Sequence, residues 1–502
     1  MGIVVVGGVF CSAPSDRGVA ARAESGRLAV GYTSDGALSS ALQHASAVVV
    51  RRLGALHIAE LRTSDLGRAV ATLRGAPGIR FVQRPAARSS VADPGLALAS
   101  FTPRAVWEWQ YRAIHEDIVS QAVLRAAASV EIAVIDTGAD LTAPDIAAKS
   151  PRTYNTRTGD GDVRDANGHG TFVSSLAAGS VTNGEGIAGA GGDAQLLVIK
   201  SGTANGAFTD VDEAAGIMYA VDHGAKIINL SVGGPTTSAT ERGAIAYAVA
   251  HGVLVVAAVG NEYAQGNPVE YPAALLQPPG SNGNGGSGLA VTASTAAGVR
   301  ASFANAGSWV SLAAPGEGVF GDVSQFASPL TYPRSPLPGS QSGQYGYASG
   351  TSFAAPQVAG AAALVWAANP ALTSQQVAQI LKETASAAGH WTPELGFGVI
   401  DVAAAVARAQ AGTPGVLLAG NRVATKVHLT WSGDGARYAL SLSVDASPPQ
   451  IVLASTDATS TTLTLARGHS YAFTVAALDA SGAIVSTSTP LTLSISTARS
   501  RR

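Results

Sequence analysis

Cysteine, charge and long apolar runs are all scarce in this chain of 502 residues. Cys11 is its only cysteine, so the chain can form no internal disulfide and offers no cysteine-based metal site. Charged residues make up 13% of the chain, and 32 basic against 34 acidic residues leave a net charge of −2. This balance excludes the basic footprint of a nucleic-acid-binding protein. The apolar runs are shorter than the roughly 18 residues that a membrane-spanning helix needs.

Apolar residues and glycine are abundant instead. Hydrophobic residues make up 46% of the chain, which contains 58 glycines and 24 prolines. A chain this apolar and this weakly charged is not intrinsically disordered, and it lacks the charged heptads of a coiled coil. The glycine content favours the tight turns and close backbone approaches that are typical of α/β enzymes.

Residues 1–25 have some features of a secretory signal segment. An apolar run at residues 3–10 precedes Ala20-Ala21-Arg22-Ala23, which is similar to a small-residue cleavage site, but the usual basic start is missing. A misplaced start codon is the alternative interpretation. The bulky Phe10 before Cys11 disfavours a lipidated cysteine and leaves a buried or removed thiol. We expect export from the cell.

Four further segments differ in their patterns. Residues 26–90 follow the order β-α-β-β-α-β of a ferredoxin-like unit. Residues 84–103 are rich in Pro, Ser and Ala, and we place a linker at residues 91–106. Residues 107–411 alternate continuously apolar strands with helices, which predicts a doubly wound α/β domain with a mostly parallel sheet. Residues 412–502 show short alternating strands that predict an all-β sandwich.

Four polar residues stand at positions suited to chemistry in the α/β segment. Asp136 ends a buried strand, and His169 lies between two glycines before a helix. Ser352 opens an apolar helix, where its hydroxyl lies beside unpaired N–H groups. Asn261 follows another strand. Taken singly, each residue also fits a structural role, namely a cap or turn for Asp136, Ser352 and Asn261 and a surface loop for His169.

Five sequence blocks in a fixed order carry a resemblance to a known family. Their order Asp, His, Asn, Ser and their local sequences resemble the subtilisin-like (subtilase) serine peptidases. The blocks are residues 133–140 (AVIDTGAD), 167–173 (NGHGTFV), 229–235 (NLSVGGP), 257–262 (AAVGNE) and 350–356 (GTSFAAP).

The resemblance implies a role for each of the four residues. Ser352 would be the nucleophile, and His169 the general base and later the general acid. Asp136 would orient and stabilise the imidazolium. The side-chain amide of Asn261 and the backbone N–H of Ser352 would form the oxyanion hole.

The resemblance also implies a substrate-binding strip of four residues, Ser231, Val232, Gly233 and Gly234. In this family such a strip pairs with the substrate backbone as an added strand. The alternative is a plain glycine-rich strand end.

The flanking segments resemble further parts of the family. Residues 26–90 resemble a propeptide that acts as a folding aid and an intramolecular inhibitor, and we expect self-cleavage between Pro85 and Pro94. The C-terminal segment resembles a fibronectin type III module, the alternative being a sandwich of another type.

The chemistry implied by the resemblance requires no cofactor. Asp145 matches a calcium ligand of some members, but a cap or turn carboxylate is the favoured interpretation.

The sequence therefore predicts a secreted, extracellular serine endopeptidase. It would act as a monomer on protein or peptide substrates through a covalent acyl-enzyme intermediate. The competing interpretation is a degenerate peptidase fold that only binds or adheres through its β-sandwich.

A metallopeptidase is excluded because His115-Glu116 is not followed by a histidine at position 119. Two departures from the family, Ser174-Ser175 and a long loop at residues 320–347, are expected not to touch the triad.

Overall fold

The fold is given by a computed structural model of the chain. The residues it describes are 26–90, 108–184, 186–335, 344–387, 389–411, 416–433, 437–445, 447–479, 482–488 and 490–495. The predicted signal segment with Cys11, and the predicted linker at residues 91–106, lie outside these ranges.

Residues 26–90 contain a four-stranded antiparallel sheet in the order β2-β3-β1-β4. Its elements are β1 (Arg27–Tyr32), α1 (Asp35–Ala45), β2 (Ala47–Leu53), β3 (Ile58–Thr63), α2 (Leu66–Arg74) and β4 (Ile79–Gln83). Side-chain oxygens of Ser34 and Asp65 cap the two helices. The element order agrees with the ferredoxin-like pattern in the sequence.

The central sheet has seven parallel strands in the order β14-β13-β12-β10-β6-β8-β7. The strands are β6 (Glu131–Asp136), β7 (Arg152–Asn155), β8 (Gln195–Lys200), β10 (Ile227–Leu230), β12 (Leu254–Ala258), β13 (Leu289–Ser294) and β14 (Leu312–Pro315). The predicted doubly wound α/β fold is confirmed. The sequence missed only the two edge strands, β7 and β14, which are four residues long each.

Helices cover both faces of this sheet, so its strands are buried on both sides and read as unbroken apolar runs. They are α3 (Trp109–Ala113), α4 (Gln121–Ala126), α5 (Pro144–Ala147), α6 (His169–Ala178), α7 (Asp210–Asp222), α8 (Ala239–Ala250), α9 (Ala273–Leu276), α10 (Thr351–Ala368), α11 (Ser374–Thr384) and α12 (Val402–Gln410). Helix α10 is buried from Thr351 to Trp366, which explains its lack of an amphipathic pattern. Among the described helices, none combines the length and the hydropathy that crossing a membrane requires.

Five short strands between residues 87 and 348 lie outside the central sheet. They are β5 (Ala87–Ser90), β9 (Ala207–Thr209), β11 (Val232–Gly233) and the hairpin of β15 (Val319–Asp322) with β16 (Tyr345–Ala348). Strand β5 falls in the Pro/Ser/Ala-rich stretch 84–103, whose composition alone does not indicate a strand. It joins β9 and β11 in a three-stranded sheet.

The C-terminal segment forms two antiparallel sheets that enclose a core of their own. One sheet has the order β17-β18-β21, and the other has the order β20-β19-β22-β23 with β24 also paired to β22. The strands are β17 (Val416–Val423), β18 (Lys426–Gly433), β19 (Arg437–Val444), β20 (Gln450–Thr456), β21 (Ser460–Thr464), β22 (His469–Leu478), β23 (Ile484–Thr487) and β24 (Leu491–Ile495). The predicted all-β architecture is confirmed, whereas its fibronectin type III character stays a prediction.

Candidate active site

Asp136, His169 and Ser352 come from three elements that meet at the carboxyl ends of the parallel strands. Asp136 is the last residue of β6, His169 is the first of α6, and Ser352 is the second of α10. Their exposed fractions are 0%, 2% and 0%. Carboxyl ends of strands in an open α/β sheet are where such folds bind ligands, so the location agrees with a site.

Asp136 and His169 are joined by a hydrogen bond. Asp136 Oδ1 lies 2.8 Å from His169 Nδ1 and also accepts the backbone N–H of Thr137 at 2.7 Å. An ionised carboxylate can only accept, so Nδ1 carries the hydrogen and donates it. In the neutral ring Nε2 is then the basic nitrogen. The pair therefore fixes both the orientation and the tautomer of the imidazole.

Asp165, which the sequence analysis missed, holds the turn that carries His169. Its Oδ1 accepts the backbone N–H of Gly168 at 2.8 Å and the hydroxyl of Thr137 at 2.8 Å. Its Oδ2 accepts the N–H and the hydroxyl of Thr171, at 2.8 and 2.6 Å. The hydroxyl of Thr137 in turn accepts the N–H of Gly170 at 2.9 Å. One buried carboxylate thus ties the end of β6 to the first turn of α6.

Glycine at position 170 lets α6 approach the end of β6. A Cβ at Gly170 would lie 2.2 Å from the carbonyl oxygen of Gly138 and 3.1 Å from Cβ of Asp136. Backbone atoms cannot yield at such distances, so any side chain would push His169 away from Asp136. The glycine beside His169 therefore has a packing reason.

Ser352 is held against Ser231 by two hydrogen bonds. The hydroxyl of Ser352 donates to the carbonyl oxygen of Ser231 at 3.2 Å, and the hydroxyl of Ser231 donates to the carbonyl oxygen of Ser352 at 2.7 Å. The second bond has a cause in the sequence. Pro356 lies four residues after Ser352 inside α10 and has no N–H, so the carbonyl of Ser352 lacks its helical partner. The ring of His169 lies on the same side, 5.5 Å from the ring of Phe353.

Asn261 follows β12 and faces the turn that leads into α10. Its Oδ1 accepts the backbone N–H of Thr351 at 2.9 Å. This contact fixes the amide, so that Nδ2 is the donor end on the side of Gly350, where a Cβ would lie 3.2 Å from it. Ser352 lies in the first turn of α10, where backbone N–H groups have no helical acceptor. An amide donor and helix-terminal N–H groups thus lie at one turn.

Two carboxyl groups, the half-buried Glu262 and the buried Glu270, lie beside the backbone at Asn261. Oε2 of Glu262 accepts the N–H of Asn261 at 2.7 Å and the amide of Asn305 at 3.3 Å. Burial, followed by the nearby charge of Glu262, raises the pKa of Glu270 to about 8. The added proton lets two adjacent carboxyl groups coexist beneath the turn.

The predicted substrate-binding strip is paired with a strand of the same chain. In β11, Val232 and Gly233 lie opposite Ser90 and Ser89 of β5 in antiparallel register. The other edge of β5 pairs with β9. The strip therefore accepts an extended segment as an added strand, and residues 87–90 take that place here.

The long loop at residues 320–347 contacts the turn that carries His169, and these contacts involve Gly168 and Asp165, which are not triad residues. A Cβ at Gly168 would lie 2.6 Å from Cβ of Ala327 and 2.9 Å from the ring of Tyr332. The hydroxyl of Ser324 donates to the carbonyl oxygen of Asp165 at 2.7 Å. The described part of the loop thus packs on the turn beside His169. Sequence spacing alone could not show this contact.

Ser175, the other departure, has a structural contact. Its hydroxyl donates to the carbonyl oxygen of Phe172 at 2.8 Å and accepts the N–H of Asp322 at 3.0 Å. These bonds tie α6 to β15.

Asp145 directs its carboxylate to donors of the protein. Its Oδ1 accepts the amide of Asn183 at 2.8 Å, and its Oδ2 accepts the N–H of Ile187 at 3.0 Å. Burial raises the pKa of this carboxyl, and its hydrogen bonds, including those to Asn183 and Ile187, oppose that rise. The described residues include no group of three or more His, Cys, Asp or Glu side chains that could hold a metal. Asp145 therefore bonds to donors of the protein in this structure, and a structural calcium at this position stays a prediction.

The geometry of these residues can support acyl transfer. A buried hydroxyl lies at a helix N-terminus, an aspartate orients an imidazole nearby, and an amide donor faces the same turn. Nucleophile, base and donors for a developing negative charge are the parts that this chemistry requires. A groove beside them holds an extended chain.

Comparisons with known proteins point in one direction. A sequence model of the subtilase family (Peptidase S8) matches residues 127–398. A thermophilic serine proteinase of Bacillus sp. (strain AK1) is 35% identical over 263 residues, which are 52% of this chain and 58% of that protein. The subtilisin of Bacillus pumilus is 34% identical over 281 residues, 55% of this chain and 90% of that protein.

A solved structure resembles most of the chain in its fold. Fervidolysin from Fervidobacterium pennivorans, described as a keratinolytic enzyme related to subtilisin, aligns with a TM-score of 0.65 and 21% identity. The alignment covers 90% of this chain and 87% of that structure. The likeness therefore concerns the arrangement of elements.

Proposed function

This chain belongs to the subtilase family, and from that premise we propose that it is a serine endopeptidase that cleaves peptide bonds of proteins or peptides outside the cell. The observation that carries the proposal is the meeting of Asp136, His169 and Ser352 at one edge of the sheet, with Asp136 bonded to His169 at 2.8 Å. Asn261 at the same turn adds the donor that acyl transfer needs.

In the proposed reaction, Ser352 Oγ attacks the carbonyl carbon of the scissile bond while Nε2 of His169 takes its proton. Asp136 stabilises the imidazolium, and the Asn261 amide and the Ser352 N–H bind the oxyanion. His169 then gives the proton to the leaving amine, so that the C–N bond breaks and an ester on Ser352 remains. Water activated by His169 hydrolyses this ester and restores the hydroxyl. No cofactor takes part.

We further propose that residues 26–90 are a propeptide that blocks the groove until the enzyme cuts it away. Strand β5 supports this proposal because it lies between β11 and β9 as an extended substrate would. It runs toward Ser231, whose carbonyl oxygen bonds to the Ser352 hydroxyl. We therefore narrow the proposed cleavage to the bonds between Ser90 and Pro94.

The remaining parts of the proposal follow from the sequence. Residues 1–25 would be a signal segment, residues 91–106 a linker, residues 107–411 the catalytic domain and residues 412–502 a fibronectin type III-like module. The mature enzyme would be an extracellular monomer.

A fluorophosphonate probe tests the proposed function. The mature protein should be labelled once, and peptide mapping should place the label on Ser352, because only an activated serine reacts with this probe. Labelling should be lost in Ser352→Ala and kept in Ser174→Ala, which removes a buried hydroxyl on α6 that has no assigned role. A protein that hydrolyses no peptide and takes no label would be a binding protein with a peptidase fold.

A further inference from the structure

Arg88 of β5 buries its whole side chain in a pocket between α7 and α8. The exposed fraction of this side chain is 0%, although arginine is among the residues least often buried. Its Nη2 lies 2.8 Å from Oε1 of Glu241, and its Nε lies 3.1 Å from the same oxygen and 3.5 Å from Oε2 of Glu213. The pocket therefore holds a guanidinium between two carboxylates.

The pocket walls are built for a cation. Glu213 and Glu241 are fully buried, and within the described ranges neither oxygen of Glu213 accepts a hydrogen bond. Burial raises the pKa of Glu213 well above its usual range, and the charge of Arg88 opposes that rise. Two buried carboxyl groups without a cation are costly, so the pocket favours a positively charged occupant.

The backbone beside Arg88 is held as a substrate backbone would be. Asp210 at the start of α7 accepts the N–H of Ala86 at 2.8 Å, and its own N–H donates to the carbonyl oxygen of Ala86 at 2.9 Å. Gly234 forms a close wall, since a Cβ there would lie 3.2 Å from Nη1 of Arg88. Its lack of a side chain leaves the space that the guanidinium fills.

The register of β5 defines which substrate residue enters this pocket. Ser89 lies opposite Gly233 and Ser90 opposite Val232, so the next residue of a substrate strand in this register lies opposite Ser231. The carbonyl oxygen of Ser231 bonds to the Ser352 hydroxyl, so that residue supplies the scissile carbonyl. Arg88 lies three positions before the residue that carries the scissile carbonyl. It is therefore the fourth residue before the cleaved bond, counting that residue as the first.

We propose that the pocket of Glu213 and Glu241 is a specificity subsite that selects arginine as the fourth residue before the cleaved bond. The inference rests on the proposed function, because it names the substrates of that same site. When residues 26–90 leave, Arg88 leaves with them, and the guanidinium of a substrate arginine restores the lost charge pair. Arginine fits better than lysine because its planar fork reaches two carboxylates at once.

Peptides that differ at one position test the proposal on the mature enzyme. A quenched fluorescent peptide with arginine at the fourth position before the cleaved bond is compared with its citrulline, leucine and glutamate versions. Citrulline has nearly the same shape as arginine without the charge. We expect kcat/KM for arginine to exceed that for citrulline by at least about tenfold, because the carboxylates are desolvated. Equal values within twofold would overturn the proposal.

A matched pair of variants locates the effect. In the double variant Glu213→Gln with Glu241→Gln, kcat/KM for the arginine peptide divided by kcat/KM for the citrulline peptide should fall to near one. Asp222→Asn makes the same kind of change nine residues beyond Glu213 on α7, about 13 Å along the helix axis, and should keep the ratio. A ratio that persists in the double variant would assign the selectivity to another part of the protein.

A second measurement does not depend on hydrolysis. In the full-length Ser352→Ala protein, thermal unfolding of Arg88→Gln, Glu241→Gln and the double variant gives the coupling between the two side chains. We expect a coupling of at least about 2 °C in Tm, and additive effects would overturn the proposed pocket. If no peptide is cleaved at all, the proposed function fails on its own, and this cycle alone decides whether the pocket holds a guanidinium.

Discussion

The catalytic unit carries two neighbours that are attached in different ways. The N-terminal unit adds Ala29, Leu53 and Ile58 to the core of the catalytic sheet and inserts β5 into its groove. The described core of the C-terminal sandwich consists of its own residues. Two cavities of about 140 and 490 Å³ lie where the sandwich meets the catalytic unit, lined by residues of both.

Charged groups reinforce the N-terminal attachment. Arg51 of β2 bonds to Asp212 of α7 at 2.8 Å, to Glu60 of β3 at 2.9 Å and to the carbonyl oxygen of Thr156 at 2.9 Å. Arg88 adds the buried pairs described above. Breaking a buried pair by removing one partner leaves an uncompensated buried charge, so these pairs oppose displacement of the N-terminal unit. The difference agrees with our proposal that the N-terminal unit blocks the site until it is cut away.

The largest expected effect is that of Asn261→Leu, which removes a proposed oxyanion donor and leaves the substrate groove intact. Asn261→Leu should lower kcat by about 10²–10³-fold with little change in KM, because the amide binds the oxyanion and not the ground-state carbonyl. Steady-state kinetics on one peptide measure both parameters. In the same variant, the rate at which the precursor cleaves off its own N-terminal unit should fall by a similar factor. Equal changes in kcat and KM would indicate that Asn261 only supports the fold.

Deleting each neighbour in turn tests the comparison directly. Expression without residues 1–90 should reduce the yield of active enzyme by about tenfold or more, because a parallel sheet with distant pairings folds slowly without a template. Expression without residues 412–502 should leave the activity per mole within about twofold. Active-site titration of both proteins gives the yields. Equal losses from the two deletions would contradict the comparison.

Arg51→Met measures the charged part of the N-terminal attachment. In the full-length Ser352→Ala protein it should lower the free energy of unfolding by about 1–3 kcal/mol, because two nearly buried carboxylates each lose a partner. Arg52→Met is the matched control, since Arg52 pairs with the exposed Asp35 and should cost at most about 1 kcal/mol. Denaturant unfolding compares the two. Similar losses would show that the interface pairs are not special.

The smallest expected effect is that of Glu270 on the pH dependence of Tm, and the direction of this effect can be checked. Burial raises its pKa in the folded protein to about 8, while an unfolded glutamate ionises near about 4.3. Between these values the folded state holds the extra proton, so stability present at low pH is lost as the pH rises toward 8. Glu270→Gln should lessen the decline in Tm between pH 5 and 9, whereas Glu394→Gln, at an exposed carboxyl, should not. An unchanged decline would contradict the assignment.

The sequence predicted those parts of the fold that depend on local pattern. Continuous apolar runs identified the five inner strands of the seven-stranded sheet, and the order of polar residues identified Asp136, His169 and Ser352. Short edge strands such as β7, with the sequence RTYN, lack an apolar pattern because the edge is partly exposed. Asp165 escaped attention because an aspartate before a glycine-rich turn is common. Its role depends on contacts with Thr137 and Thr171.

The burial of Arg88 could not be predicted, because it depends on three distant segments. Glu213 and Glu241 belong to different helices, and β5 lies in a stretch whose composition indicates a linker. A charged residue in such a stretch is normally solvated. Only the pairing of β5 with β11 places Arg88 between the two carboxylates.

The N-terminus of the purified protein tests the central claim, that β5 occupies the groove of a working peptidase. Wild-type and Ser352→Ala proteins are expressed in the same host, purified and measured by intact mass spectrometry. The wild-type protein should begin at residue 92, because the register places the scissile carbonyl on the residue that follows Ser90, whereas the Ser352→Ala protein should keep its N-terminal unit. Trimming of purified Ser352→Ala at that same bond would contradict self-processing and would make the N-terminal unit a permanent domain.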